Sequence, residues 1–238
     1  MLFHGDCLEL MKDIPDKSID MILCDLPYGT TACKWDTIIP FEPLWKSYER
    51  IIKDGCAIVL TASQPFTTEL IHNKIQWFKY AYVWNKKQSG SFWLAKYQPL
   101  RITEDVLVFS KNGKRTNYYP QMRVGKMRTK GGAKNPVRIV SGGLETTPKK
   151  QSDTYFPTNI LEISNAGNKG TIHPTQKPVD LFQYLIKTYT KENEIVLDNA
   201  AGVCTTAIAC INTNRKWICI EKELEYCEKS VKRIKNGA

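Results

Sequence analysis

Two short stretches of this chain hold side chains whose types and spacing can do chemistry. The first, Asp25-Leu26-Pro27-Tyr28-Gly29, follows the apolar run Met21-Ile22-Leu23-Cys24. It presents a carboxylate, a proline-stiffened turn and an aromatic ring at one strand end. Taken alone it also reads as an ordinary turn, because Asp, Pro and Gly are common turn residues. The second begins with the apolar run Ile195-Val196-Leu197 and continues Asp198-Asn199-Ala200-Ala201-Gly202-Val203-Cys204-Thr205-Thr206 into an Ala-rich apolar segment. A strand, a small-residue turn and a helix N-terminus in succession make a nucleotide-like pocket. Glu221, about 20 residues beyond the turn and at the end of Trp217-Ile218-Cys219-Ile220, can accept hydrogen bonds from ribose hydroxyls. Neither Gly-x-Gly-x-x-Gly nor a Walker-type Gly-Lys-Ser/Thr occurs, so the pocket suits an adenosine-bearing cofactor without a pyrophosphate. The missing glycine fingerprint argues against a nicotinamide-dependent oxidoreductase.

These stretches need a scaffold. Seven apolar segments read as strands: Leu2–His4, Met21–Cys24, Ala57–Leu60, Tyr80–Trp84, Val106–Phe109, Ile195–Leu197 and Trp217–Ile220. Several are continuous rather than alternating, as expected of strands covered on both faces. Helical spacing joins Val179, Phe182, Leu185, Ile186 and Tyr189 after Pro178, and again Leu224, Cys227, Val231 and Ile234. Strands alternating with helices predict a doubly wound, mainly parallel α/β sheet, in which ligands bind beyond the carboxyl ends of the strands.

The 238 residues carry a net charge of +10, and its location is informative. Residues 111–150 hold 11 Lys and Arg against the single acid Glu145, together with six of the 14 glycines. The rest of the chain is therefore neutral. A polyanion-binding insert and a solvated surface loop fit this charge equally well. The wider stretch 111–170, rich in Gly, Pro, Asn, Thr and Lys, interrupts the α/β rhythm. No apolar run approaches the roughly 20 residues that span a bilayer, and the first residues lack a signal-peptide pattern, so a cytoplasmic protein is expected. The eight cysteines form no Cys-x-x-Cys pair and the three histidines are scattered, which predicts buried reduced thiols and no metal site.

The two chemical stretches resemble motifs of the amino-group DNA methyltransferases that use S-adenosylmethionine: Asp-x-Pro-Tyr after a strand, and Asp-Asn-x-x-Gly-x-x-Thr-Thr before a helix. His173-Pro174-Thr175-Gln176-Lys177-Pro178 is similar to the family's cofactor-side block. Gly5-Asp6-Cys7 and Glu221 stand where the family has acidic cofactor contacts, and Thr103–Phe109 resembles the strand region before its target-recognition segment. The order, catalytic motif first and cofactor motif last, is that of the beta group. The resemblance implies a seven-stranded, Rossmann-like methyltransferase sheet. It divides the chain into a catalytic half (1–110), a basic target-recognition insertion (111–170) and a cofactor-binding half (171–238).

The resemblance further implies methyl transfer from S-adenosylmethionine to the N6 amino group of adenine in double-stranded DNA. Asp25 and the Leu26 carbonyl would accept the two N–H bonds of the amino group, Pro27 would stiffen the turn, and Tyr28 would stack on a base flipped out of the duplex. Cofactor contacts fall on Asp6, Cys7, His173, Thr175, Lys177, Pro178, Asp198, Asn199, Ala200, Gly202, Thr205, Thr206 and Glu221. DNA contacts are expected from Lys126, Arg128, Lys130, Lys134 and Arg138, with Arg123, Arg128, Asn135 and Arg138 as candidates for reading base edges. Asp25 favours adenine over N4 of cytosine, where the motif more often begins with Ser. No Pro-Cys dipeptide is present, which argues against cytosine carbon-5 chemistry. A cognate restriction endonuclease and a homodimer are compatible with the resemblance, and a membrane is not.

Two positions depart from the family pattern. Leu26 replaces a proline but would act through its carbonyl. Val203-Cys204 stands where the family usually has Ser-Gly, which predicts crowding of the cofactor's methionine end by the Cys204 side chain. Weakened cofactor binding, and a catalytically impaired DNA-binding protein, would follow.

Overall fold

A computed structural model describes residues 1–30, 33, 36–90, 92–130, 150–165 and 176–235. The chain forms two compact units, Met1–Tyr119 with Asn159–Ala238, and Pro120–Thr158. The strands are β1 (Leu2–His4), β2 (Ile19–Cys24), β3 (Ile52–Ala62), β4 (Phe78–Asn85), β5 (Thr103–Ser110), β6 (Arg123–Lys130), β7 (Lys150–Tyr155), β8 (Ile160–Glu162), β9 (Ile195–Asp198) and β10 (Lys216–Glu221). The α-helices are α1 (Cys7–Leu10), α2 (Phe41–Ile51), α3 (Phe66–Asn73), α4 (Val179–Tyr189), α5 (Thr205–Ile211) and α6 (Leu224–Lys235). No helix among the described residues is long and apolar enough to cross a membrane.

The larger unit is built on one sheet of order β1-β10-β9-β2-β3-β5-β4-β8. Only β5 runs against its neighbours, pairing antiparallel with β3 and β4. The sequence predicts seven strands and the sheet has eight. The additional β8 pairs in parallel with Val83–Asn85, and its three residues bury only Leu161, too short a signal for a pattern.

The continuous apolar runs are explained by two cores, one on each face of the sheet. Ile22 and Cys24 of β2, Ile58 and Leu60 of β3, and Leu107 and Phe109 of β5 enter one cluster with Leu44, Trp45 and Tyr48 of α2. Their neighbours Met21, Leu23, Ala57, Val59, Val106 and Val108 enter the other, with Leu181, Phe182, Leu185, Ile186 and Tyr189 of α4. Alternate side chains point to opposite faces, so a strand buried on both faces must be apolar throughout. Each fully buried side chain of α4 contributes about 1.5–3 kcal/mol, and truncating Leu185 to Ala would cost about 2–5 kcal/mol. Helix α6 follows its predicted pattern less well. Cys227 and Ser230 are buried, whereas Leu224 and Val231 are exposed.

The smaller unit contains the antiparallel ribbon β6–β7, in the segment whose sequence reads as an insertion interrupting the α/β rhythm. Tyr155 Oη donates to the Lys126 carbonyl at 2.6 Å, and the Arg128 guanidinium lies 5.6 Å from the Tyr155 ring centre. Arg123, Lys126 and Arg128 are exposed, and so are Val124 and Met127.

Candidate active site

The topology brings seven strand ends to one edge. β1, β10, β9, β2 and β3 are parallel, so their carboxyl ends lie together. β5 is antiparallel to β3 and contributes its amino end, and β4, reversed again, contributes its carboxyl end. Asp6, Asp25, Ser63, Lys86, Glu104, Asp198 and Glu221 follow or occupy these ends, and all line one cavity of about 920 Å³. That volume lies within the roughly 300–1,000 Å³ typical of small-molecule sites.

At one end of the cavity, Asp25 is held from three sides. Its Oδ1 accepts from the Tyr28 hydroxyl at 2.8 Å and from the Thr61 hydroxyl, while its Oδ2 accepts from Lys177 Nζ at 2.7 Å. Tyr28 stacks on Phe66 with ring centres 5.1 Å apart. Burial, reinforced by the Asp25 charge, pushes its phenol well above the usual range. The following turn is pinned by Asp36, which accepts the Gly29 and Thr30 N–H groups at 2.9 Å each. Gly29 has φ +67°, and a Cβ there would meet Ile38 Cγ1 at 2.9 Å, so this position needs glycine.

Lys177 continues the network. Its ammonium stands 3.4 Å from Glu104 Oε2, and Glu104 Oε1 meets Lys86 Nζ at 3.0 Å. Burial alone would pull the Lys177 pKa down, but Asp25 and Glu104 outweigh it and leave it above that of ordinary lysine. Glu104 shows the converse: burial raises it, and Lys177 and Lys86 bring it below the usual carboxylate value. The four charges cancel, which limits the cost of burying them.

The other end of the cavity is a cradle for a polar ligand. Asp198, 2% exposed, accepts from Thr206 Oγ1 and from the Ala200 N–H at 3.2 Å, and burial pushes its pKa up to about 6. Asn199 Oδ1 accepts from Tyr48 Oη at 2.5 Å and its amide faces Cys7 Sγ at 3.6 Å. Glu221 receives the Gly202 and Glu223 N–H groups at 2.6 and 2.8 Å, and burial raises its pKa. Asp6 caps α1 by accepting from the Leu8 N–H at 2.9 Å.

The residues expected to bind cofactor do not all face this space. Asp6, Cys7, Lys177, Asp198, Asn199, Ala200, Gly202, Thr205 and Glu221 line the cavity, as do Asp25, Leu26, Pro27 and Tyr28. Thr206 and Pro178 do not: Thr206 orients Asp198, and Pro178 starts α4. Lys177, read from sequence as a cofactor residue, is also bonded to Asp25. His173, Thr175, Lys134 and Arg138 lie outside the described residues. Lys126 and Arg128 lie on β6, as does Lys130. Sequence reasoning missed Thr61, Lys86, Glu104 and Asp36 as site residues. Thr61 and Glu104 sit near the ends of apolar strands, and a polar residue at such an end is the only signal.

The expected crowding by Cys204 is corrected. Cys204 has φ +55°, the glycine-favoured region, but its side chain is fully buried with Ala201, Ala207 and Cys219 and does not line the cavity. Seven of the eight cysteines are buried, and Cys33 is exposed. Burial raises the thiols of Cys56 and Cys227 to about 11, which makes them poor nucleophiles.

Residues 19–232 match the model of the N6/N4 DNA methylases, described as a DNA methylase. The chain belongs to that family. This methylase is 28% identical to the DNA adenine methyltransferase YhdJ of Escherichia coli K12, with 98% of the chain and 82% of that protein aligned. It is 26% identical to the type II methyltransferase M2.LlaDCHI of Lactococcus lactis, over 100% of the chain and 90% of that protein. Its fold is that of M1.HpyAVI, solved as a SAM complex (TM-score 0.65, 24% identity, 98% of each chain). It is also that of the cytosine-N4-specific PvuII methyltransferase (TM-score 0.68, 18% identity, 97% of this chain and 84% of the other).

Proposed function

We propose that this methylase is a site-specific DNA methyltransferase that moves a methyl group from S-adenosylmethionine to the N6 amino group of adenine. The observation that carries the reading is that Asp25 and the Asp198–Glu221 cradle line the same cavity. The cradle fits the cofactor. Each Glu221 oxygen accepts one backbone N–H and keeps acceptor capacity for a ribose hydroxyl. Asp6 and Asn199 add polar groups beside it. S-adenosylmethionine supplies an electrophilic methyl carbon when bound.

The protein's part is to make a poor nucleophile competent. The amino lone pair is delocalised into the base until its hydrogens are drawn away. Asp25 and the Leu26 carbonyl accept those N–H bonds most strongly as the nitrogen becomes tetrahedral and positive, so they favour the transition state over the ground state. Tyr28, with one face on Phe66, offers a ring against which an extruded base stacks; unstacking the base costs a few kcal/mol. The exposed Arg123, Lys126 and Arg128 of the β6–β7 ribbon supply phosphate contacts, and a two-stranded ribbon has the width to enter a major groove. The Asp that opens the catalytic motif and the likeness to an adenine methyltransferase both favour adenine. Likeness to type II methyltransferases supports a role in restriction–modification beside a cognate endonuclease.

Expression in a methylation-free host, followed by sequencing for modified bases, tests the reading. N6-methyladenine in a fixed context, abolished by Asp25→Ala, is the expected result. N4-methylcytosine would reassign the base. Soluble protein with unmodified DNA would leave only a DNA-binding role.

A further inference from the structure

Asp25 serves methyl transfer as an acceptor, which leaves Lys177, Glu104 and Lys86 without a role. A cation on the catalytic carboxylate is a paradox. In the transition state positive charge passes to the amino nitrogen, and an ammonium 2.7 Å from Asp25 Oδ2 cancels part of the charge that should stabilise it. It also takes one acceptor position on that oxygen. Oδ1 already receives the Tyr28 and Thr61 hydroxyls, so Oδ2 is the oxygen available to a substrate N–H.

Glu104 resolves the paradox. Its Oε2 is buried and accepts no hydrogen bond, although Lys177 Nζ is only 3.4 Å away. Buried carboxylate oxygens without a donor are costly, so this one marks a second seat for the ammonium. The lysine stem is flexible and the distance to gain is well under 1 Å to reach a normal charge-assisted bond of about 2.8 Å. Lys86, on the other Glu104 oxygen, keeps Glu104 ionised and oriented.

We propose that Lys177 is a two-seat positioning residue: it donates to Asp25 Oδ2 until an amino group reaches the carboxylate, then shifts its hydrogen bond to Glu104 and leaves Asp25 Oδ2 free to accept the substrate N–H. The inference rests on the methyltransferase reading for its purpose, but the existence of two seats is independent of it. Net charge in the pocket is unchanged by the move, and no bond is made or broken.

The test has two arms. In thermal unfolding, Asp25→Asn or Glu104→Gln alone leaves the ammonium one carboxylate, so each lowers Tm modestly. The double variant strands it, and its loss exceeds the sum of the singles. Adding Lys177→Met to the double variant restores the excess. In methylation of unmodified genomic DNA at saturating S-adenosylmethionine, Glu104→Gln locks Lys177 on Asp25 and lowers kcat about 10- to 100-fold with unchanged cofactor affinity. Glu104→Gln with Lys177→Met recovers a large part of that loss. Additive Tm losses, or a Glu104→Gln/Lys177→Met enzyme no better than Glu104→Gln, would overturn the proposal. If the wild-type protein methylated no DNA, the functional reading would fail, and additive Tm losses in the unfolding arm would still overturn the dependence of Lys177 on both carboxylates.

Discussion

The Gly202 N–H donates to Glu221 Oε2 at 2.6 Å, joining the turn after β9 to the acid that ends β10. The two groups therefore act as one unit. Glu223 N–H on the other oxygen makes the carboxylate a double acceptor. Glu221→Gln would turn one of these acceptors into a donor facing an N–H group. Calorimetry should show S-adenosylmethionine binding about 10- to 100-fold weaker, the loss expected of a charge-assisted hydrogen bond. Unchanged affinity would remove Glu221 from the site.

Tyr28 has two separable parts. Its ring rests on Phe66 and its hydroxyl on Asp25. Tyr28→Phe keeps the ring and loses one hydrogen bond, so kcat should fall about five- to tenfold. Tyr28→Ala removes the stacking surface as well and should lose much more. Equal effects in steady-state kinetics would show that the ring does nothing.

Asp198 should leave a signature in stability against pH. Its folded pKa of about 6 lies above the ordinary 3.8, because burial disfavours the charged form. The protonated carboxyl therefore contributes stability that is fully present below pH 3.8 and is lost as pH rises through about 6. Relative to Asp198→Asn, which cannot ionise, the wild type should lose about 3 kcal/mol between roughly pH 3.5 and pH 7. Urea unfolding of both proteins across that range measures it, and a difference independent of pH would contradict the burial argument.

Cys204 occupies a left-handed conformation that costs a residue with a Cβ about 1–2 kcal/mol. Cys204→Gly relieves this and gives up buried packing against Ala201, Ala207 and Cys219. Because the side chain does not line the cavity, S-adenosylmethionine affinity should stay within about twofold. A large gain in affinity would restore the crowding model.

The basic ribbon makes a salt-dependent prediction. Replacing Lys126, Arg128 and Lys130 with Ala should reduce the slope of log affinity for duplex DNA against log salt by about 2–3, near 0.9 for each phosphate no longer neutralised. Cofactor affinity should not change. A constant slope would return the ribbon to a solvated surface.

Local chemistry was written plainly in the chain. Asp25-Leu26-Pro27-Tyr28 and Asp198–Thr206 could be read from residue type and spacing, because a turn after a buried strand must carry its polar residues to the sheet edge. The strands could be read too, since burial on both faces leaves no polar position in the apolar runs of β2 and β3. Pairing could not. Thr61 and Glu104 become partners of Asp25 and Lys177 only because β3 and β5 run antiparallel side by side, which places the end of one strand beside the start of the other. The same holds for Lys177: 152 residues separate it from Asp25, and no periodicity encodes a meeting at that distance. Cys204 is the converse, a departure legible in sequence whose meaning depended on the direction of one side chain. Sequence determined which groups this protein can bring to its chemistry; the order and direction of the strands decided which of them meet.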